Sequence, residues 1–143
     1  MEIDDITAEI VDAAVKLHVR LGPGLLESVY EAVLARELVR RGLSVQRRKP
    51  IGFEFDGLWF EEGLRVDLLV NGLVVVALKS VEKVAPVHAK QVLTYLRLLG
   101  LRVGLLINFG AATMKEGLQR IVNDYTPSAS PRLRVRQHLR DSP

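Results

Sequence analysis

Two oppositely charged side chains lie within an otherwise apolar stretch of the sequence. The run RVDLLVNGLVVVALK, residues 65–79, contains Asp67 and ends on Lys79. Carboxylate oxygens suit Mg²⁺, which polarises a phosphate and activates water, while an ammonium group orients the nucleophile or stabilises developing charge. Metal-dependent nucleases combine these groups with another carboxylate two residues before the lysine. In this chain that position is Ala77, so the set is incomplete.

The pairing of two strands decides whether these charges can act together. The pattern over 64–79 predicts two strands joined at Asn71-Gly72. A strict two-residue turn would put Asp67 and Lys79 on opposite faces of the sheet, because successive side chains alternate between faces. A loop with an odd number of residues would place Asp67 opposite Ala77 and on the face of Lys79. The nuclease interpretation therefore predicts an odd loop.

The apolar periodicity along the chain predicts the element order αα-βββββ-α-β-α. Two helices come first, over 4–20 and 26–41, and five strands follow, over 43–48, 51–56, 58–61, 64–70 and 73–79. A third helix over 87–99, a strand over 103–109 and a last helix over 113–123 complete the order. A strand, helix and strand in succession favour a right-handed crossover, so the fifth and sixth strands should be parallel. We expect an α/β fold with a mixed β-sheet flanked by α-helices.

Size and composition predict a soluble domain. The chain has 143 residues, of which 48% are hydrophobic and 26% charged, enough for a substantial core. It shows no apolar run of membrane length and no signal-peptide pattern, so we expect a cytoplasmic protein with no membrane partner. The sequence has no cysteine, which excludes disulfides, thiolate metal sites and cysteine nucleophiles.

The net charge of +3 belongs to the C-terminal end of the chain. Residues 126–143 carry four arginines and one aspartate, so residues 1–125 sum to zero. We therefore expect a domain over 1–125 and a basic, flexible tail over 126–143. One basic group within the domain could contact nucleic-acid phosphates: Arg36, Arg40, Arg41, Arg47, Arg48 and Lys49. A solvated helix end followed by an edge strand is the competing interpretation.

Four separated segments of the chain carry a resemblance. The segment LGPGLLESVY places Gly24, Glu27 and Tyr30 in the spacing GxxExxY. VDLLV, HAKQVLTYL and LLINFG follow it in order, at 66–70, 88–96 and 105–110. Together they resemble the bacterial GxxExxY proteins of the PD-(D/E)XK nuclease superfamily. The resemblance implies a restriction-endonuclease-like fold, with a Mg²⁺ or Mn²⁺ site that hydrolyses DNA or RNA phosphodiesters.

The resemblance also implies a role for each matching residue. Glu27 would be the acidic residue from the helix and Asp67 the first strand carboxylate, and both would hold the metal. Lys79 would be the catalytic lysine, and Gln91 the polar residue that the following helix turns toward the site. The family's glutamate falls on Ala77 in this chain, whether by natural degeneration or by deliberate substitution. We therefore expect metal binding to be weakened or lost and cleavage to be weak or absent.

Structural roles compete with catalysis at the same positions. Glu27 would also stabilise the dipole of its helix, and Tyr30, three residues later, could bond or pack beside its carboxylate. Asp67 could form an ion pair with Arg65 or Lys79. His88 shares a helix face with Gln91 and is a weaker candidate. Glu61, Glu62 and Glu82 are near enough in sequence to replace the missing ligand.

Two other functions fit the same sequence. A binding module could hold nucleic acid through the basic group and the tail, or hold a protein partner; salt-dependent nucleic-acid binding that ignores Mg²⁺ would favour it. A homodimer could form if the tail added a strand to a neighbour's sheet edge, through Leu133, Val135 and Leu139. Deleting the tail should then give monomers.

Overall fold

A computed structural model describes residues 1–124 and 133–135 of the chain. The elements are, in order, α1 (Ile3–Leu21), α2 (Glu27–Arg40), β1 (Val45–Phe55), β2 (Leu58–Val70), β3 (Val74–Lys79), α3 (Pro86–Leu99), β4 (Val103–Asn108), α4 (Met114–Gly117), β5 (Leu118–Val122) and β6 (Leu133–Val135). In these residues we find no helix that is both long and apolar enough to cross a membrane.

The strands form one mixed sheet in the order β5-β4-β3-β2-β1-β6. Strands β3 and β4 pair in parallel through the α3 crossover, and the other neighbours pair antiparallel. The predicted α/β class, the predicted parallel pair and the first three predicted helices are confirmed, with helix ends within two residues. The parallel pair is apolar except for its last residues, Lys79 and Asn108, because helices cover both faces of the sheet.

The core lies in two layers, one on each face of the sheet. On one face, Val76 and Leu105 pack in a cluster with Ile10 of α1 and Leu34 of α2. On the other face, strand residues pack with α3 around Leu96. Consecutive residues of β3 therefore alternate between the two helical layers, and a side chain's place in the strand decides which layer it meets.

The outer hairpin corrects the predicted strand boundaries. Four predicted strands, over 43–48, 51–56, 58–61 and 64–70, are two long strands, β1 and β2. Pro50 does not end β1: among the residues that the structure describes, β6 pairs with β1 at Phe53–Phe55 and no described strand pairs with Pro50 on that side. Gly63 does not break β2 either. It makes room for the Phe53 ring, which a side chain at this position would overlap.

The predicted helix over 113–123 is wrong beyond its first turn. Helix α4 begins after Thr113, whose side-chain oxygen accepts a hydrogen bond from the Glu116 N–H, and it lasts four residues. The chain then forms β5, which pairs antiparallel with β4. Only Ile121 of β5 is buried. The open edge of β4 offers backbone partners to this segment, and that pairing overrides the helical spacing.

Of the predicted tail, only residues 133–135 lie within the described part of the chain. They form β6, which pairs with Phe53–Phe55 of the same chain. The rest of the tail, including Leu139, lies outside the described residues. The division at 125/126, the tail's flexibility and the homodimer stay predictions.

Candidate nuclease-like site

The loop between β2 and β3 has three residues, as the sequence argument required. The register pairs Leu68 with Val76 and Val70 with Val74. The paired residues end at Leu68 and Val76, one residue before Asp67 and Ala77. Ala77 packs against the layer that α3 covers, and Lys79, two residues later on the same strand, points to that face as well. The predicted odd loop is confirmed.

Asp67 takes the place of a strand partner where the β2–β3 ladder ends. Its Oδ2 accepts a hydrogen bond of 2.8 Å from the Leu78 N–H. Burial raises the pKa of Asp67 above its ordinary value, and the negative charge of Glu31 adds to the rise, against the Leu78 hydrogen bond. Arg65 donates to Glu62 and not to Asp67. A half-buried carboxylate is thus held in place without a direct ion pair within the described residues.

Glu27 is the first residue of α2 and reaches the same region from the opposite helical layer. Partial burial raises the pKa of Glu27, and the charge of Asp67 raises it further, while Lys79 and His88 lower it. The charges of Asp67 and Lys79 both act on Glu27, so these three groups share one electrostatic neighbourhood at the C-terminal end of β3.

Tyr30 holds the loop that leads into Glu27. Its hydroxyl donates to the Gly22 carbonyl at 2.5 Å and accepts from the Leu25 N–H at 3.2 Å. Ser80, just after Lys79, donates to the Leu25 carbonyl at 2.5 Å and ties this loop to the end of β3. The idea that Tyr30 bonds to the Glu27 carboxylate is wrong, because its hydroxyl binds the loop backbone instead.

Gly24, the first residue of the motif, has a backbone requirement of its own. Its φ is +106°, in the region that residues with a side chain rarely adopt. The motif Gly24, Glu27 and Tyr30 therefore combines a permissive backbone, a site carboxylate and a hydroxyl that fixes the loop.

Asn108 performs a similar task on the other side of Lys79, and sequence reasoning gave it no role. Its Oδ1 accepts from the N–H groups of Val81 and Gly110, both at 3.0 Å, and its Nδ2 donates to the Val81 carbonyl at 2.8 Å. The Phe109 N–H donates to the Lys79 carbonyl at 2.9 Å. The side chain fixes the loop that follows the lysine, and only the fold brings these segments together.

Helix α3 contributes polar groups on the sheet face of Ala77 and Lys79. Gln91 Nε2 donates to the Tyr95 hydroxyl at 3.1 Å. Burial raises the pKa of Tyr95, and the charge of Asp67 raises it further, so the phenol lies near that carboxylate. Tyr95 was missed, although its spacing of four from Gln91 is a visible signal. His88 Nδ1 accepts from the Ala85 N–H at 3.2 Å, in the first turn of α3.

Glu31 is a buried carboxylate that the sequence analysis also missed. Its Oε2 accepts hydrogen bonds from Arg47 Nη2 at 3.1 Å and from Arg48 Nε at 3.0 Å. Its side chain is 7% exposed, so the two guanidinium groups supply the charge that a buried carboxylate needs. The signal was its place one turn after Glu27, on the same helix face.

The predicted basic group does not form one surface. Arg41 binds Glu9, Asp12 and Glu37, which joins the middle of α1 to the C-terminal end of α2 and raises the pKa of its guanidinium. Arg47 and Arg48 instead bind Glu31. Contact of any of the six residues with nucleic acid stays a prediction: Arg36, Arg40, Arg41, Arg47, Arg48 and Lys49.

The donor set does not make a complete metal site. Over residues 1–124, no three side chains of His, Asp or Glu lie close enough together to hold an ion. Glu27 and Asp67 supply two carboxylates, and Ala77 offers a methyl group where the third would stand. Glu61 accepts from Trp59, and Glu62 accepts from Arg65, on the outer part of β2. The residues present therefore do not fit a divalent cation.

One comparison with known proteins identifies the family of this chain. A family model described as the PD-(D/E)XK nuclease superfamily matches residues 4–121, which run from α1 into β5. Nucleases of that superfamily generally use divalent metals. Comparison with curated proteins and with solved structures gives no match. The narrower GxxExxY assignment stays a prediction.

Proposed function

This chain belongs to the PD-(D/E)XK nuclease superfamily, and from that premise we propose that it binds DNA or RNA around Asp67 and hydrolyses phosphodiesters weakly or not at all. The observation that supports the proposal is the hydrogen bond from the Leu78 N–H to the Asp67 carboxylate, between Ala77 and Lys79 on the neighbouring strand. Asp67 and Lys79 would supply two charges of a nuclease site, and Ala77 puts a methyl group where the third would stand.

The remaining side chains suit recognition of a phosphate. The Lys79 ammonium can stabilise negative charge on a phosphate oxygen, and Gln91 and Tyr95 can donate hydrogen bonds to it. Without the third carboxylate, a divalent ion has too few protein ligands. If that carboxylate contributes about 5 kcal/mol to transition-state stabilisation, its loss slows cleavage roughly 5,000-fold.

Restoring the carboxylate tests the proposal directly. We would measure cleavage of labelled single-stranded and double-stranded DNA and RNA with Mg²⁺ and with Mn²⁺. The variants are Ala77→Glu, Ala77→Gln as the neutral match of similar size, and Ala77→Glu combined with Lys79→Ala. We expect cleavage from Ala77→Glu alone. Thermal melts would show that all three variants fold.

Two outcomes would overturn parts of the proposal. If a folded Ala77→Glu variant cuts no substrate with either metal, Ala77 is not what silences the site. If Ala77→Gln cuts as well as Ala77→Glu, the new side chain does not act as a metal ligand. Unaltered protein that binds none of the four nucleic acids at low salt would remove the proposal altogether.

A non-catalytic module is the second candidate, and the incomplete donor set favours it. Such a module would bind nucleic acid equally well in EDTA and in Mg²⁺. It would also stay inactive when Ala77→Glu is introduced. Binding that tightens with Mg²⁺ would instead favour the nuclease site.

A further inference from the structure

An arginine pair stands beside Asp67 on the neighbouring strand. In the β1–β2 register, Arg47 pairs with Leu68 and Lys49 with Val66, so Arg48 stands opposite Asp67. The charge of Arg48 also acts on the Asp67 carboxylate. The arginine therefore lies close to the proposed site.

The backbone at Arg48 is adapted to this arrangement. Side chains of consecutive strand residues normally point to opposite faces. Arg48 has φ +49°, in the left-handed region, and both Arg47 and Arg48 reach the same oxygen of Glu31. Such a conformation costs about 1 kcal/mol or more for a residue with a side chain. The fold therefore maintains a strained backbone at the point where the two guanidinium groups converge.

The pair retains unused hydrogen-bond donors. Each guanidinium has five N–H groups, and Glu31 engages one from each. The side chains of Arg47 and Arg48 are 44% and 56% exposed, so the other donors face solvent. Two arginines and one glutamate sum to +1. Solvent-facing forks of this kind bind the paired oxygens of a phosphate.

We propose that Arg47 and Arg48, positioned by Glu31, form a phosphate receptor for the nucleic-acid backbone next to the site at Asp67 and Lys79. The inference rests on the proposed function and adds a second contact on the same strand of nucleic acid. Glu31 orders both guanidinium groups before the ligand arrives, which reduces the entropy lost on binding.

Nucleic-acid binding by the full chain provides the first test. Fluorescence anisotropy would follow labelled DNA and RNA oligonucleotides without divalent metal, over a range of KCl concentrations. Arg48→Gly removes the guanidinium while suiting the backbone at φ +49°. Arg47→Lys with Arg48→Lys keeps both charges but removes the paired N–H donors of the two guanidinium groups. Arg102→Gln is the matched control, because it precedes β4 at the sheet end opposite Lys79.

The expected results differ between the variants. Arg48→Gly should weaken binding about tenfold and lower the salt slope by about 0.7 to 0.9, the value for one phosphate contact. The lysine pair should weaken binding several-fold with the slope unchanged, because the charge remains. Arg102→Gln should change neither quantity. A lysine pair that binds like the unaltered protein would overturn the receptor, since point charges would then suffice.

A second measurement separates the receptor from the proposed function. Inorganic phosphate would be titrated into labelled protein while the arginine Nε–H resonances are followed by NMR. We expect a saturable shift of the Arg48 signal. If phosphate shifts this signal but no nucleic acid binds, the receptor stands and the proposed function fails. If nucleic acid binds, the signal stays unmoved and the lysine pair behaves like the unaltered protein, the receptor alone is wrong.

Discussion

The ring of Tyr30 stacks on the ring of Phe109, with centroids 4.5 Å apart and planes within 5° of parallel. Tyr30 belongs to α2 and fixes the loop before Glu27, whereas the Phe109 N–H bonds to the carbonyl of Lys79. The two rings thus join the helix that carries one charge of the site to the strand that carries another. The position of Glu27 relative to Lys79 depends on this contact.

Tyr30→Phe should therefore weaken the fold without disturbing the stack. The variant keeps the ring and loses a hydrogen bond from the hydroxyl to Gly22 and one from Leu25 to the hydroxyl. We expect the free energy of unfolding to fall by about 1 to 2 kcal/mol, measured by urea denaturation. Tyr95→Phe, which loses a single exposed contact with Gln91, is the control and should cost less. Equal stability of Tyr30→Phe and the unaltered protein would contradict the loop-fixing role.

Asp67→Asn should stabilise the protein at neutral pH. Burial raises the pKa of Asp67 above its ordinary value of 3.8, so ionisation of this group opposes folding. The penalty is absent below about pH 3.8, where folded and unfolded states are both protonated, and it is complete above the raised pKa. Asparagine can still accept the Leu78 hydrogen bond and carries no charge. Such a gain is common at functional sites, where a residue is kept for its chemistry although it makes the fold less stable.

The measurement for Asp67→Asn is the melting temperature as a function of pH. The difference from the unaltered protein should be positive at pH 7 and should shrink toward zero as pH falls toward 3.8. Glu82→Gln, which removes an exposed carboxylate, is the control. A loss of stability at pH 7 in Asp67→Asn would show that the charge itself holds β2 and β3 together.

Gly110→Ala should be far more damaging than Gly72→Ala. A Cβ at Gly110 would overlap the backbone of Val81, in the loop that Asn108 fixes. Neither backbone can move away without breaking those hydrogen bonds, so we expect a loss of about 3 kcal/mol or more. A Cβ at Gly72 would meet no neighbouring atom, and the only penalty is the positive φ of +66°. We therefore expect Gly72→Ala to lower the free energy of unfolding by about 1 kcal/mol. Chemical denaturation of both variants tests the ranking, and similar losses would refute it.

Asn108→Asp should separate the two halves of the bonding pattern around Val81. A carboxylate can still accept from the N–H groups of Val81 and Gly110 but cannot donate to the Val81 carbonyl. In Asn108→Asp a carboxylate oxygen would face the Val81 carbonyl oxygen, and we expect the free energy of unfolding to fall by about 1 to 3 kcal/mol. Asn108→Ala should lower it further, because three backbone groups would then lack a partner. Denaturation curves give both values. The opposite order would mean that the buried charge dominates.

The sequence predicted the central part of this site because its geometry is local. Register and parity follow from the alternation in two adjacent strands and from the loop between them, so the odd number of residues in that loop could be predicted. The parallel pairing of β3 and β4 followed from the crossover between them. The loop before Glu27 was also indicated by Gly24 and Tyr30, although the hydrogen bonds of the tyrosine hydroxyl were not.

The parts that could not be predicted depend on contacts between distant segments. Glu31 looks like any helical glutamate until Arg48, far along the chain, folds onto it. Asn108 gains its role only when β4 lies beside β3. The local spacing predicts a helix where β5 lies, because the strand partner that the edge of β4 supplies is not visible in that segment. Arg41 appeared free for phosphate, but α1 brings acidic side chains to it.

The pairing of β2 with β3 has a consequence for how this lineage can change. The backbone pairing of Val70 with Val74 does not involve the side chain at position 77, so one substitution at Ala77 alters the chemistry and leaves the architecture intact. Point mutation is therefore an accessible route by which such a domain gains or loses catalysis, and the change is reversible by a single codon.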